Sequence, residues 1–431
     1  MAEKPSVDLL IKHAAQVATP VPGSDFEPAG FLEISDGAVA VSDGVISFVG
    51  SSGELEQRVE LKPDAVVIDA SGKTVTPGFV DCHTHPIFFA TREQEFEMRV
   101  LGKSYEEIAL AGGGIRSSVR SLRQASKEEL IAAALPRLDR FLSLGTTTVE
   151  AKSGYGLSLE DEIKSLEVIA ELDGLHPIEL VPTFLGAHET PDEFRERKAE
   201  YLDVVVEQMI PAVKERGLAE FCDVFCESHV FSVAESRRVL EAAKRAGFGL
   251  KIHAEQLTRT GGAALAAELG AASADHLEYS DRRDWARMKE QRVVPVLLPG
   301  ADFFLNQETY APARKMLEAG LPIAIATDFN PGTCMSESMP LTMTLACLKL
   351  RLRPSEALIA ATYHAAMAIN RGNLLGSIEV GKNADLVLWD APNYHHLPYH
   401  FGVNLVNTVI KSGKVVYQDG EFHRRKRETG V

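Results

Sequence analysis

At 431 residues the chain exceeds what one small core usually takes, so a large domain with an accessory one is expected. Hydrophobic residues at 45% and charged residues at 25% are ordinary for a soluble globular protein. A formal net charge of −16 disfavours nucleic acid or an anionic membrane as partner.

The first six residues, Met1-Ala-Glu-Lys-Pro-Ser6, precede no long apolar segment, so a cytosolic protein with no membrane partner is expected. Short strand candidates follow at Asp8–Lys12, Gly37–Val41, Val45–Val49 and Ala65–Asp69, with Asp43-Gly44 and Ser71-Gly72 as turns. The far end reads alike, with strands at Ala384–Trp389, Val406–Lys411 and Lys414–Tyr417. Neither end carries enough strand to bury both faces of a sheet. Residues 1–75 and 371–431 are therefore expected to combine into one small composite β-sandwich domain.

Between them, over 76–370, apolar strand candidates alternate with helical stretches, the pattern of a parallel α/β architecture. Eight stand out: Gly78–Asp81, Thr146–Ala151, Glu179–Phe184, Phe221–Phe225, Gly249–Ile252, Ala272–Ala274, Val293–Leu298 and Pro322–Ala326. Helical patterns such as Lys127–Leu144 and Glu160–Leu172 separate them. The number and size match a (β/α)8 TIM-like barrel, with a doubly wound sheet as the alternative.

Polar residues end these strands in turn: His83 and His85; Glu150, Lys152 and Tyr155; His188; Glu227; His253 and Glu255; Asp275 and His276; Asp302; Asp328. In a barrel those ends converge on one face, where active sites sit. On a strand, residues i and i+2 share a face, so His83 and His85 point together, as do His253 and Glu255. With Asp328, the three histidines give three nitrogens and one oxygen, a set suited to zinc or ferrous iron with a position left for water.

Other features read as structural. Cys222 and Cys226 fall on one face of an apolar run and read as buried reduced thiols, and five cysteines without paired spacing argue against a disulfide framework. The Gly112–Gly114 run lacks a following Gly-Lys-Ser/Thr and reads as a mobile loop near the mouth rather than a phosphate loop. The basic run Arg424–Arg427 reads as a solvated tail, and His395, His396 and His400 as surface or interface groups.

The entry Pro77-Gly-Phe-Val-Asp-Cys-His83-Thr-His85, a strand-ending His253, Asp328 after the last strand and Gly376-Ser-Ile-Glu-Val-Gly-Lys-Asn-Ala-Asp385 resemble the metal-dependent amidohydrolase superfamily. More narrowly, the chain is similar to the imidazolonepropionase family of histidine degradation. Stretches that carry this run in order through nearly the whole chain. They include Thr148-Val-Glu-Ala-Lys-Ser-Gly-Tyr-Gly156, Thr183-Phe-Leu-Gly-Ala-His188, Ser273-Ala-Asp-His-Leu-Glu278 and Thr327-Asp-Phe-Asn-Pro-Gly332.

The resemblance implies that His83, His85, His253 and Asp328 hold one divalent ion, zinc or iron. It implies that Arg92, Tyr155, His188, Asn330, Gly332 and Thr333 bind the small-molecule substrate, 4-imidazolone-5-propanoate, and its ring-opened product. His276 is implied as a proton-handling or hydrogen-bonding group beside the metal. Gln256 stands at a substrate-contacting position that is Glu in some relatives, which leaves Gln256, neighbouring Glu255, His276 and Asp328 as candidate catalytic groups. A homodimer is implied too. Lys152 follows the second strand, whereas the metal-bridging lysine of other amidohydrolases follows the fourth, so one metal is expected. The rival readings are another cyclic amidase or an aminoimidazole deaminase on the same scaffold, and a catalytically silent binding protein.

Overall fold

The computed structural model describes residues 4–23, 26–103, 107 and 113–423. Gly112 of the glycine run and the basic stretch Arg424–Arg427 lie outside the described residues.

Five strands precede the barrel: β1 (Ser6–Val21), β2 (Gly30–Ser42), β3 (Val45–Ser51), β4 (Glu60–Asp69) and β5 (Thr74–Pro77). The long β1 is their hub, antiparallel to β2 and parallel to both β4 and β5. Strand alternation covers both of its faces. Leu9 and Ile11 join one cluster with Val39, Leu386 and Ile410, while Leu10 between them joins Ala38, Ala40 and Phe48.

The barrel strands are β6 (Phe79–Thr84), β7 (Thr146–Lys152), β8 (Glu179–Ala187), β9 (Phe221–Cys226), β10 (Gly249–Leu250), β11 (His253–Ala254), β12 (Ser273–His276), β13 (Val294–Leu297) and β14 (Ala324–Ile325). They pair in parallel in the order β6-β7-β8-β9-β11-β12-β13-β14, with β10 beside β9. The eight expected strands are thus present. The fifth breaks into β10 and β11 at Lys251, whose Nζ turns inward and donates to the Cys82 carbonyl at 3.0 Å. The ring closes at the eighth strand's end, where the Asp328 amide donates to His83 O at 3.1 Å and the His85 amide to Phe329 O at 2.8 Å.

The expected helices form at Lys127–Ser143 and Leu159–Leu175. Ser126 and Glu129 make a reciprocal capping box on the first, and Ser158 caps the second. No helix among the described residues is long and apolar enough to cross a membrane.

The chain then returns to the first sheet through β15 (Leu386–Trp389), β16 (Val406–Lys411), β17 (Lys414–Gln418) and β18 (Glu421–Phe422). β15 pairs antiparallel with β5, so both termini belong to one continuous sheet that packs on itself. Trp389 pins this sheet to the barrel floor. Its Nε1 donates to Thr76 Oγ1 at 2.8 Å, and its ring lies 5.3 Å from Phe79. Gly145 makes room: its φ is +92°, and a Cβ there would meet the indole at 2.9 Å. Trp389→Ala should therefore lose about 3–5 kcal/mol of stability. Urea unfolding checks this, and a shift below about 1 kcal/mol would mean the indole is not what joins sheet to barrel.

Candidate metal centre

His83 lies within β6, His85 just beyond it, and His253 opens β11. Ligand nitrogens from these three buried histidines lie within 4.8 Å of one another. Asp328 Oδ1 approaches His83 Nε2 and His85 Nε2, each at 3.6 Å. No hydrogen-bond partner reaches His83 Nε2, His85 Nδ1 or His253 Nδ1. Buried polar atoms are rarely left unpaired, and three crowded buried imidazoles beside a carboxylate, with His83 Nε2 bare and facing it, suit a divalent cation. Burial, followed by the charge of Lys152, holds His83 well below the ordinary histidine range. Burial and then His188 do the same for His85. Both rings are neutral and keep a lone pair.

A buried charge network orients these rings from behind. His83 Nδ1 donates to Asp275 Oδ2 at 2.6 Å, which turns the bare Nε2 toward the cluster. Asp223 Oδ2 lies 3.1 Å from His253 Nδ1, off the line a hydrogen bond needs. Lys152 Nζ donates to Glu150 Oε1 and Asp223 Oδ2, each at 2.7 Å, and stands 3.9 Å from Asp275. Burial penalises the lysine's charge, but Asp223, Glu150 and Asp275 outweigh it and hold its pKa above the usual lysine value. Lys152 is therefore an ion-paired brace.

Asp328 is fully enclosed, and burial raises its pKa to about 6 against the opposing pull of His276 and His253. Its φ is +52°, and His276 has φ +81°. Left-handed backbone at non-glycine residues carries strain and persists only where surroundings enforce it. At Asp328 the neighbouring loop does so. Asn330 Nδ2 donates to Asp328 O at 2.7 Å and to Thr333 Oγ1 at 2.6 Å, while Asn330 Oδ1 accepts from the amides of Gly332 and Thr333. Thr333 Oγ1 in turn donates to Asp328 Oδ2 at 3.4 Å. The Asn330 carboxamide is thus occupied in bracing its own loop.

The remaining expected site residues divide. His188 stacks on His85 with ring centroids 5.2 Å apart, and Tyr155 lies 5.4 Å from His188. His188 Nδ1 donates to Gly154 O at 2.9 Å, and burial lowers its pKa to about 3. Arg92 presents Nε and Nη2 to Glu95 Oε2 at 2.9 and 2.6 Å, leaving Nη1 against Gly332. Gln256 is half-buried just past β11.

Glu255 does not join the cluster. Its φ of +57° breaks the i, i+2 alternation that paired it with His253. Its carboxylate instead accepts from the amides of Thr260, Gly261 and Ala263, the start of the helix Gly262–Leu269. Glu227 likewise anchors a loop, accepting from the amides of Ser228, Leu257 and Thr258.

The role of two residues was not foreseen. Asp223 reads as a residue of an apolar strand and Asp275 as a strand-ending polar group without an assigned role, yet both sit behind histidines of the cluster. The available signal was an Asp in a strand otherwise buried along its length, which demands a buried partner.

Comparison with known proteins agrees with this geometry. Residues 74–416 match the amidohydrolase family. The imidazolonepropionase of Symbiobacterium thermophilum is 50% identical over 424 residues, spanning 97% of this chain and 99% of that protein. That of Alkaliphilus oremlandii is 48% identical over 421 residues, covering 96% and 99%. Among solved structures, a zinc-bound adenosine deaminase from Xanthomonas campestris superposes with a TM-score of 0.72 at 21% identity, covering 97% of this chain and 95% of that one. A 5-methylcytosine deaminase from Klebsiella pneumoniae gives 0.71 at 17% identity, covering 97% and 100%. At such identities the likeness to the deaminases is one of fold.

Proposed function

The chain belongs to the amidohydrolase family and, within it, to the imidazolonepropionases, and from that premise we propose that it opens the ring of 4-imidazolone-5-propanoate by hydrolysis. Water adds across the ring amide C–N bond, and the product is N-formimidoyl-L-glutamate. The observation that carries the reading is the cluster of buried His83, His85 and His253, with ligand nitrogens within 4.8 Å of one another beside Asp328, in a chain about half identical to enzymes of that name.

His83, His85, His253 and Asp328 are the residues that would hold the divalent ion, zinc or iron. When bound, such an ion would supply Lewis acidity, which polarises an amide carbonyl and lowers the pKa of water toward about 7. The chain's own groups do the rest. Asp328, enclosed beside the histidine cluster, accepts a proton from the attacking water and returns it to the ring nitrogen as the C–N bond breaks. His276 hydrogen-bonds or shuttles a proton beside it. Tyr155 and the neutral His188 wall the ring on the His85 side. Gln256 and the Asn330–Thr333 loop complete the substrate pocket. The Arg92 guanidinium recognises the propanoate carboxylate, which selects an acid-tailed ring over a nucleobase. By family likeness the enzyme acts in the cytoplasm as a homodimer.

Single-turnover hydrolysis of fresh 4-imidazolone-5-propanoate, with metal analysis on the same sample, tests this reading. Loss of the substrate's ultraviolet band with formation of N-formimidoyl-L-glutamate, abolished by chelation, is the expected result. Bound metal without turnover would overturn the substrate assignment and favour the other cyclic amides and aminoimidazoles.

Arg92→Ala should raise KM by roughly 10–100-fold with kcat little changed, since it removes a charge-assisted contact, offered from Nη1, that is distant from the broken bond. Gly332→Ala should act in the same direction. A Cβ at position 332 would fall 2.2 Å from Arg92 Nη1 and displace the guanidinium. Steady-state kinetics on both variants decide the matter, and a loss confined to kcat would place Arg92 elsewhere in the reaction.

A further inference from the structure

The carboxylate of Glu95 stands behind the tail-binding arginine and takes no part in the scheme above. Arg92 sits immediately before the helix Glu93–Val100, and Glu95 lies in that helix's first turn. An acidic residue there is ordinary helix chemistry, and an exposed ion pair three residues apart contributes little. Glu95 is not such a residue. Its side chain and that of Arg92 are each 13% exposed, and both of its carboxylate oxygens are engaged. Oε2 accepts from Arg92 Nε at 2.9 Å and from Nη2 at 2.6 Å. Oε1 accepts from the Gly114 amide at 3.0 Å and from Ser117 Oγ at 3.2 Å, at the start of the helix Ile115–Gln124.

The far end of this bridge is a firm anchor. Gly114 has φ +80°, a backbone that glycine adopts freely, and it precedes a helix whose unpaired first amides attract a carboxylate. The Ser117 amide closes the turn on Gly114 O at 3.0 Å. The near end fixes a direction. With Nε and Nη2 both drawn to one oxygen, the planar guanidinium cannot turn, and Nη1 is left against Gly332. The Gly332 amide donates to Asn330, whose side chain also braces Asp328. A line of contacts therefore runs from the helix Ile115–Gln124 through Glu95 and Arg92 to the loop beside the metal-ligand cluster.

We propose that Glu95 is a positioning residue that holds the Nε–Nη2 edge of Arg92 and so aims Nη1 at the carboxylate tail of the substrate. The proposal deepens the hydrolytic reading and rests on it for its kinetic part. A free arginine side chain loses rotamer freedom when it binds an anion, and here the protein's own carboxylate has removed that freedom beforehand. Charge acts in the other direction. Glu95 is an anion close to where an anionic tail binds, and by charge alone it weakens the tail. Aiming and charge thus give opposite signs when Glu95 is replaced.

Steady-state hydrolysis of 4-imidazolone-5-propanoate by the metal-loaded enzyme separates the two. Glu95→Gln cannot accept at both ends, and Glu95→Asp keeps the charge but is one methylene too short to span them. Each should raise KM by roughly 3–10-fold with kcat within about twofold of the parent. In an Arg92→Ala background nothing is left to aim, so adding Glu95→Gln should leave KM level or lower it by relieving a stranded anion. A KM that falls in Glu95→Gln and stays parental in Glu95→Asp would reveal charge alone and overturn the proposal. A further rise in the double variant, or a loss shared equally by kcat and KM, would overturn it too. A second readout needs no substrate. In 15N spectra the Arg92 Nε–H should exchange slowly with water in the parent and fast in Glu95→Gln, and equal exchange would overturn the proposal. If the parent fails to hydrolyse 4-imidazolone-5-propanoate, the substrate assignment falls, and the exchange comparison still decides whether Glu95 holds Arg92.

Discussion

His253→Ala protein is expected to purify without stoichiometric metal and to show no turnover of 4-imidazolone-5-propanoate. The cluster offers three imidazoles and one carboxylate, and the first two imidazoles come from a single strand end. His253 comes from the far side of the ring, on β11, so without it the ion is gripped from β6 and Asp328 alone. Loss of an outer-shell partner typically weakens a metal site by 10–100-fold, and loss of a ligand should exceed that. The alanine also leaves Asp223 facing a void where it now has His253 Nδ1 at 3.1 Å. Metal analysis by plasma spectrometry and activity on the same sample read the result. Full activity in a metal-free variant would sink the assignment of the site.

Lys152→Met should be nearly as damaging, by a different route. The methionine fills the volume but strands Glu150 and Asp223, both fully buried, without their cation, and leaves buried Asp275 with Lys251 alone at 3.9 Å. Breaking a buried ion network by removing one partner costs about 3–5 kcal/mol, because the remaining charges stay desolvated. The effect is expected in the metal-free protein by chemical denaturation. A second loss should follow in metal affinity, since Asp275 orients His83 and Asp223 backs His253. Unchanged stability together with unchanged affinity would show that the lysine is a bystander.

How much of this was legible in the sequence depended on whether a feature is local. His83 and His85 share a face because strands have period two, and that needs no knowledge of the fold. Eight apolar stretches with helical intervals specified the barrel for a similar reason. Glu255 failed under the same rule, because a left-handed residue at the strand's end turned its side chain into the loop that starts the next helix. The Lys152 network was invisible because it joins β7, β9 and β12 across the barrel, and no spacing within one strand encodes that. Glu278 illustrates the same limit: only tertiary packing leaves both its carboxylate oxygens buried without a hydrogen-bond donor.

The seam of the barrel has a consequence for how the protein is made. His83 and His85 are synthesised early, but the residues that close the ring onto them, Asp328 and Phe329, leave the ribosome much later. β5 waits longer still, because its antiparallel neighbour β15 is nearly the last part translated. Pairings of such long sequence separation form slowly and leave strand edges open in the interval. A nascent chain halted before Asp328 therefore holds three of the four candidate metal ligands and an unpaired sheet edge together. Closure of the barrel seam and cover of the β5 edge both wait on the segment from Asp328 onward.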